Sequence, residues 1–137
     1  MEDGIQGNNH RESRGKILVV DDEGKICQML AEYFSIKGYH VETARRGNDA
    51  LTLAQAFQPD IVLLDLLMPG LSGIETLKAL KQMAPAPKVL MVSVADHDEV
   101  IKGALQMGAD AYICKPIKLL DLDLLVNDLC LSGHAQP

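Results

Sequence analysis

The chain has 137 residues, 47% apolar and 23% charged, with a formal net charge of −6; this suits one soluble globular domain that buries its core without disulfides or structural metal. The acidic balance argues against a nucleic-acid surface, because phosphate binding wants a basic stripe, and the apolar runs are too short to span a membrane. Cys27, Cys114 and Cys130 are odd in number and lack C-x-x-C spacing, so they read as free thiols in a reducing compartment, while His10, His40, His97 and His134 never fall at metal-ligand spacing.

Residues 1–15 are polar, with Ile5 the one large aliphatic, and are expected to form a disordered tail with no signal-peptide character. Ile17–Val20 reads as a strand, followed at once by Asp21-Asp22-Glu23. Ile26, Met29, Leu30, Tyr33 and Phe34 recur at helical spacing. Val41–Ala44 alternates and suits an edge strand. Leu51, Ala54 and Phe57 predict a second helix that ends before Pro59. Ile61–Leu64 is a strand that delivers Asp65 to the edge of the core, after which Met68-Pro69-Gly70 turns the chain away. Ile74, Leu77 and Leu80 predict a third helix, Val89–Val92 a strand ending at Ser93, and Val100, Ile101, Ala104 and Leu105 a fourth helix. That fourth helix opens with Asp96-His97-Asp98-Glu99, which looks like a capping box. Ala111–Cys114 is a strand followed by Lys115-Pro116, and Leu122, Leu125, Val126 and Leu129 predict a last helix. Apart from Val41–Ala44, the strands read as buried on both faces. Residues 132–137 are expected to be a tail or the start of a linker, which leaves one domain over residues 16–131.

Five βα units in succession imply an α/β fold: a doubly wound parallel sheet between two helical layers. Ligands of such sheets sit at the carboxyl ends of the strands. Asp21, Asp22 and Glu23, then Asp65, Ser93 and Lys115 all follow strands, so they converge on one edge. One lysine cannot neutralise so many carboxylates in a poorly solvated pocket. The missing charge suits a hard divalent cation held by oxygen, as Mg2+ prefers. With a phosphoryl group added, Asp65 can act as a nucleophile and form an aspartyl phosphate, while Lys115 and the cation neutralise charge and Ser93 donates to a phosphoryl oxygen.

Each residue also has a plainer reading. Asp21-Asp22-Glu23 could favour a helix N-terminus, Asp65 could be a turn residue, Ser93 a loop hydroxyl and Lys115-Pro116 a solvent-facing exit. Their joint placement at successive strand ends favours the chemical reading.

The stretches "ILVVDDE", "NDALTLAQAFQPDIVLLDLLMPGLSGIETL", "KVLMVSVAD" and "GADAYICKP" together resemble the receiver domain of two-component response regulators, single-domain chemotaxis regulators included. The resemblance covers residues 16–131. It implies a flavodoxin-like strand order 2-1-3-4-5, with Asp65 as phosphoacceptor and Mg2+ held by Asp21, Asp22, Asp65 and the backbone carbonyl of Leu67. It further implies Lys115 as the lysine of the catalytic set, joined to Pro116 by a cis peptide, and Ser93 and Tyr112 as switch residues. Tyr112 is equally readable as a half-buried strand aromatic with its hydroxyl at the surface.

The implied function is a phosphorylation-dependent signalling switch. It takes a phosphoryl group from a phosphohistidine on a sensor histidine kinase or phosphotransfer protein and remodels a surface made of its fourth helix, fifth strand and fifth helix. It is not an enzyme on a separate substrate, although it catalyses its own phosphotransfer and slow autodephosphorylation. A cytoplasmic location, an unspecified effector or output domain, no contact with membrane or nucleic acid, and a phosphorylation-dependent homodimer all fit the family. Val94 stands where the family usually has a small residue and is expected to narrow access to the phosphoryl group. Leu67 cannot orient a water, so a long-lived phosphoryl group is expected.

Other classes fit less well. A flavodoxin-like binding protein would want a phosphate cradle where Asp21-Asp22-Glu23 stands. An aspartate-based phosphatase commonly carries a second Asp where Leu67 stands. A degenerate receiver acting only as an interaction module would typically have lost the acceptor, an acidic partner or the lysine, and all are present.

Overall fold

The structure is a computed structural model that describes residues 13–134. β1 (Lys16–Val20), β3 (Ile61–Leu64) and β4 (Lys88–Ser93) occupy the middle of one sheet. β2 (His40–Ala44) and β5 (Ala111–Cys114) form its edges. The order is β2-β1-β3-β4-β5 and every pairing is parallel, as the flavodoxin-like expectation requires. The crossovers are α1 (Gly24–Ile36), α2 (Gly47–Phe57), α3 (Gly73–Lys81) and α4 (Asp98–Gln106), and α5 (Leu119–His134) follows the last strand.

Strand alternation divides the core in two. Leu18, Val20, Val62, Leu64, Val89 and Met91 face one way, onto Ala50, Ala54, Leu77, Leu80 and Ala104 of α2, α3 and α4. Ile17, Val19, Ile61, Leu63, Leu90 and Val92 face the other way, onto Leu30 and Phe34 of α1 and Leu122 and Val126 of α5. Truncating one of these fully buried leucines to alanine costs about 2–5 kcal/mol.

Register decides where the site forms. Val20 pairs with Leu64, and the Asp65 N–H donates to the Val20 carbonyl at 2.9 Å. The residues that follow β1 and β3 are therefore neighbours at the point where the chain reverses its direction of winding.

Four expectations are corrected or refined. Ala111–Cys114 is not buried on both faces: all four residues are half-buried, because β5 pairs with β4 alone. The capping-box-like start of α4 forms no cap, since its N-cap His97 makes no side-chain bond. The reciprocal box is instead at α3, where the Glu75 N–H donates to Ser72 Oγ (3.2 Å) and the Ser72 N–H to Glu75 Oε1 (3.1 Å). Of the expected N-terminal tail, residues 1–12 lie outside the described residues. Arg14 and Gly15 pair with the backbone of Gly38 and His40. Helix α5 extends past residue 131 to His134, and residues 135–137 lie outside the description.

Candidate functional site

Asp65 is 5% exposed and Asp21 3% exposed, an expensive placement for two carboxylates unless both are hydrogen-bonded and neutralised. Lys115 supplies the cation. Its Nζ lies 2.8 Å from Asp21 Oδ2, 3.2 Å from Asp65 Oδ2 and 3.9 Å from Glu23 Oε1. The lysine reaches the site because β5 ends at Cys114 and the Lys115 N–H donates to the Ser93 carbonyl (2.8 Å). The Lys115–Pro116 bond is cis, in agreement with the resemblance.

The remaining lone pairs are met locally. Asp65 Oδ1 accepts from the Leu67 N–H (3.1 Å) and Asp21 Oδ1 from the Glu23 N–H (2.9 Å). Burial pushes the Asp65 carboxyl above the ordinary value; the Leu67 N–H and Lys115 pull it back, and the Asp21 charge pushes it further up. Burial acts to lower the Lys115 ammonium, but the hydrogen bond and charge of Asp21, with Asp65 behind it, outweigh this and hold it above its ordinary value.

Asp21-Asp22-Glu23 leads straight into α1, with Glu23 at the N-cap, but Glu23 makes no side-chain cap bond and the first turn holds no acidic residue. Asp21 divides its carboxylate between the Glu23 N–H and Lys115.

One ammonium faces three carboxylates. Asp21, Asp22 and Asp65 each bring an oxygen within 4.8 Å of the other two, a spacing that fits a hard, oxygen-liganded cation. Asp22 is the most open of the three.

Ser93 is fully buried at the end of β4. Its Oγ accepts the Ala95 N–H (3.3 Å), while the Tyr112 hydroxyl donates to the Ala95 carbonyl (2.6 Å). The Tyr112 hydroxyl is therefore tied to the β4–α4 loop rather than loose at the surface. Burial raises its pKa and the neighbouring Ser93 hydroxyl counters it. Leu67 and Val94 are 54% and 60% exposed, apolar side chains in the loops that follow Asp65 and Ser93.

With the geometry in view, comparison with known proteins decides the family. The model of the response regulator receiver domain matches residues 17–127. The chain belongs to that family. A receiver of this kind is a domain of two-component response regulators and not a classical enzyme. The "DNA-binding response regulator MtrA" of Mycobacterium tuberculosis is 38% identical over 109 residues, which cover 80% of this chain and 47% of that protein. The "Probable transcriptional regulator ycf27" of Cyanophora paradoxa is 37% identical over 117 residues, 85% of this chain and 48% of that one. The receiver thus spans about half the length of the curated relatives it matches. Among solved structures, the receiver domain of Francisella response regulator 1452 superposes with a TM-score of 0.82 at 33% identity, covering 87% of this chain and 98% of the other. Chemotaxis protein CheY4 of Vibrio cholerae gives 0.79 at 30% identity, covering 83% and 97%.

Sequence reasoning missed two residues that position this receiver's site. Arg45, just past β2, donates through Nε (3.0 Å) and Nη2 (2.8 Å) to the Asp22 carbonyl and clamps the acidic loop. Nothing in an exposed Arg-Arg pair signals that fold-back. Gly73 opens α3 against the backbone that follows β3: a Cβ there would meet the Leu66 carbonyl oxygen at 2.5 Å and the Asp65 carbonyl oxygen at 2.6 Å.

Proposed function

We propose that this receiver is a phosphorylation-dependent switch in which Asp65 accepts a phosphoryl group from a phosphohistidine on a sensor histidine kinase or phosphotransfer protein. The observation that carries the reading is the imbalance at the carboxyl edge of the sheet: Asp21, Asp22 and Asp65 bring oxygens within 4.8 Å of one another, and a single lysine, Lys115, pairs with Asp21 and Asp65.

Asp21, Asp22, Asp65 and the Leu67 carbonyl would hold Mg2+, which when bound supplies charge neutralisation for the carboxylates and the incoming phosphoryl oxygens. The chain does the rest. An Asp65 oxygen forms the new bond to phosphorus as the phosphorus–nitrogen bond of the donor breaks, and the electron pair returns to the donor imidazole. Lys115 already sits 3.2 Å from Asp65 Oδ2 and shifts onto a phosphoryl oxygen with little reorganisation. Ser93 exchanges the Ala95 N–H for a phosphoryl oxygen, to which its hydroxyl donates. Because Tyr112 holds the same residue by its carbonyl, a move of Ala95 obliges the phenol to move as well. That carries the change to a surface of α4, β5 and α5, where an effector or output domain would read it. Leu67 and Val94 offer water no polar partner beside the phosphoryl group, which supports slow autodephosphorylation.

The test is beryllofluoride with Mg2+, followed by amide chemical shifts. Shifts at Ser93, Ala95 and Tyr112 that vanish in Asp65→Asn are expected. No binding by the parent would overturn the reading and leave a protein-interaction module.

A further inference from the structure

The acidic loop between β1 and α1 is fastened residue by residue. Asp21 donates its N–H to the Ala44 carbonyl (3.1 Å), its carboxylate takes Lys115 (2.8 Å) and the Glu23 N–H (2.9 Å), and the Cys27 thiol donates to its carbonyl (3.3 Å). Asp22 is held in another way. Its carbonyl accepts from both Nε (3.0 Å) and Nη2 (2.8 Å) of Arg45, while its carboxylate keeps an oxygen within 4.8 Å of those of Asp21 and Asp65. The backbone of Asp22 is gripped from outside the loop, and its side chain stays with the acidic cluster.

Two features set this clamp apart from an ordinary surface contact. An arginine beside several carboxylates gains most from pairing with one of them, yet Arg45 directs two donors at a carbonyl. The guanidinium also has a seat. Gly24, the first residue of α1, leaves the space for it: a Cβ there would lie 3.0 Å from Arg45 Nη1 and 3.4 Å from Arg45 Cζ. That seat is beside the first turn of α1, where the positive end of the helix dipole disfavours a cation. The helix therefore does not account for an arginine at this place, whereas holding the Asp22 peptide does. A ligand whose backbone is already fixed has less to reorganise when an ion binds.

We propose that Arg45 is a positioning residue for the metal: by fixing the Asp22 peptide it holds the Asp22 carboxylate within reach of the ion, and so sets the Mg2+ concentration at which the receiver can take a phosphoryl group. Arg45 can act in this way only if Asp21, Asp22 and Asp65 hold Mg2+, so its role rests on the metal reading of the site.

Charge supplies a control of opposite sign. Arg45 is a cation near a cation site, so by electrostatics alone its removal would tighten Mg2+ binding, whereas loss of positioning weakens it. The experiment titrates Mg2+ into the metal-free protein and follows the amide shifts of Asp21, Asp22 and Glu23. Arg45→Met keeps the stem and loses both charge and donors; it is expected to raise the Mg2+ dissociation constant about tenfold. Arg45→Lys keeps the charge and loses the planar fork, and should weaken binding by less, a few-fold. Gly24→Ala crowds the guanidinium from the other side of the same contact. It should weaken binding in the parent and add little in Arg45→Met, where the seat is already empty. Labelling by phosphoramidate should fall in Arg45→Met at low Mg2+, and the deficit should narrow as Mg2+ is raised. Unchanged or tighter Mg2+ binding in Arg45→Met, beside a parent that binds, would overturn the positioning role and leave the metal reading intact. A labelling deficit that Mg2+ does not narrow would also overturn it, in favour of a contact with the phosphodonor. A parent whose amides do not respond to Mg2+ would overturn both readings.

Discussion

Both edges of the sheet carry carboxylates that bond the backbone, exposed residues at the amino edge and buried Asp21 and Asp65 at the carboxyl edge, and they use them differently. At the amino edge, Asp60 precedes β3 and accepts the Lys16 N–H that starts β1 (2.8 Å), while Asp110 precedes β5 and accepts the Val89 N–H of β4 (2.8 Å). Asp110 also holds Lys81 at 2.9 Å. There each carboxylate closes a strand end, and Asp110 has a cation to itself. At the carboxyl edge, Asp21 and Asp65 share Lys115, and Asp22 brings a third carboxylate within 4.8 Å of both. The same side chain is a fastening at one end of the strands and, at the other, part of an acidic cluster that could hold a metal ion.

The largest expected effect is at the acceptor. Asp65→Asn should abolish labelling by a small phosphodonor such as phosphoramidate and, without Mg2+, should raise the melting temperature. Because the folded carboxyl titrates above its unfolded value, Asp65 favours the folded state most at low pH, and that contribution is lost as pH rises through the raised pKa. The stability advantage of the asparagine variant should therefore be small below the ordinary carboxylate range, widen as pH rises, and level off once Asp65 is ionised in both states. A constant gap across that range would break the contrast between the two edges.

Next comes Lys115→Met, which leaves buried carboxylates without their cation. A loss of about 3 kcal/mol is expected in chemical denaturation without metal, with Mg2+ restoring more stability to the variant than it adds to the parent. Asp110→Asn sharpens the comparison from the other side. It should cost about 1 kcal/mol, the worth of a partly exposed ion pair and its backbone bond, and leave phosphoryl labelling unchanged. The smallest effect is kinetic: Leu67→Asn should shorten the lifetime of the phosphorylated protein a few-fold, measured by loss of label after donor removal.

Much of this was legible in the sequence because periodicity and strand ends are local properties. β1, β3 and β4 are continuous apolar runs, and Asp21, Asp65, Ser93 and Lys115 each follow a strand directly, so a parallel sheet alone brings them together. What was not legible depends on partners distant in sequence. The half-burial of β5 follows from its place at an edge, which its apolar letters do not encode. The cap expected at Asp96–Glu99 does not form because α4 starts from His97, which makes no side-chain bond, while the reciprocal box forms at Ser72 and Glu75 ahead of α3. Arg45 reaches back to Asp22 across a helix and a strand, and no spacing rule anticipates that.

The bonds at Ala95 have one more consequence. The chain contains no tryptophan and three tyrosines; Tyr33 is engaged with Asp123 and Tyr39 is packed edge-on against Phe34 in the core, far from the acceptor. Of the three, Tyr112 is the one bonded to Ala95, the residue whose N–H is held by Ser93. Intrinsic ultraviolet emission should therefore change with the state of Asp65 through a single phenol, giving a label-free optical readout of signalling in the unmodified protein.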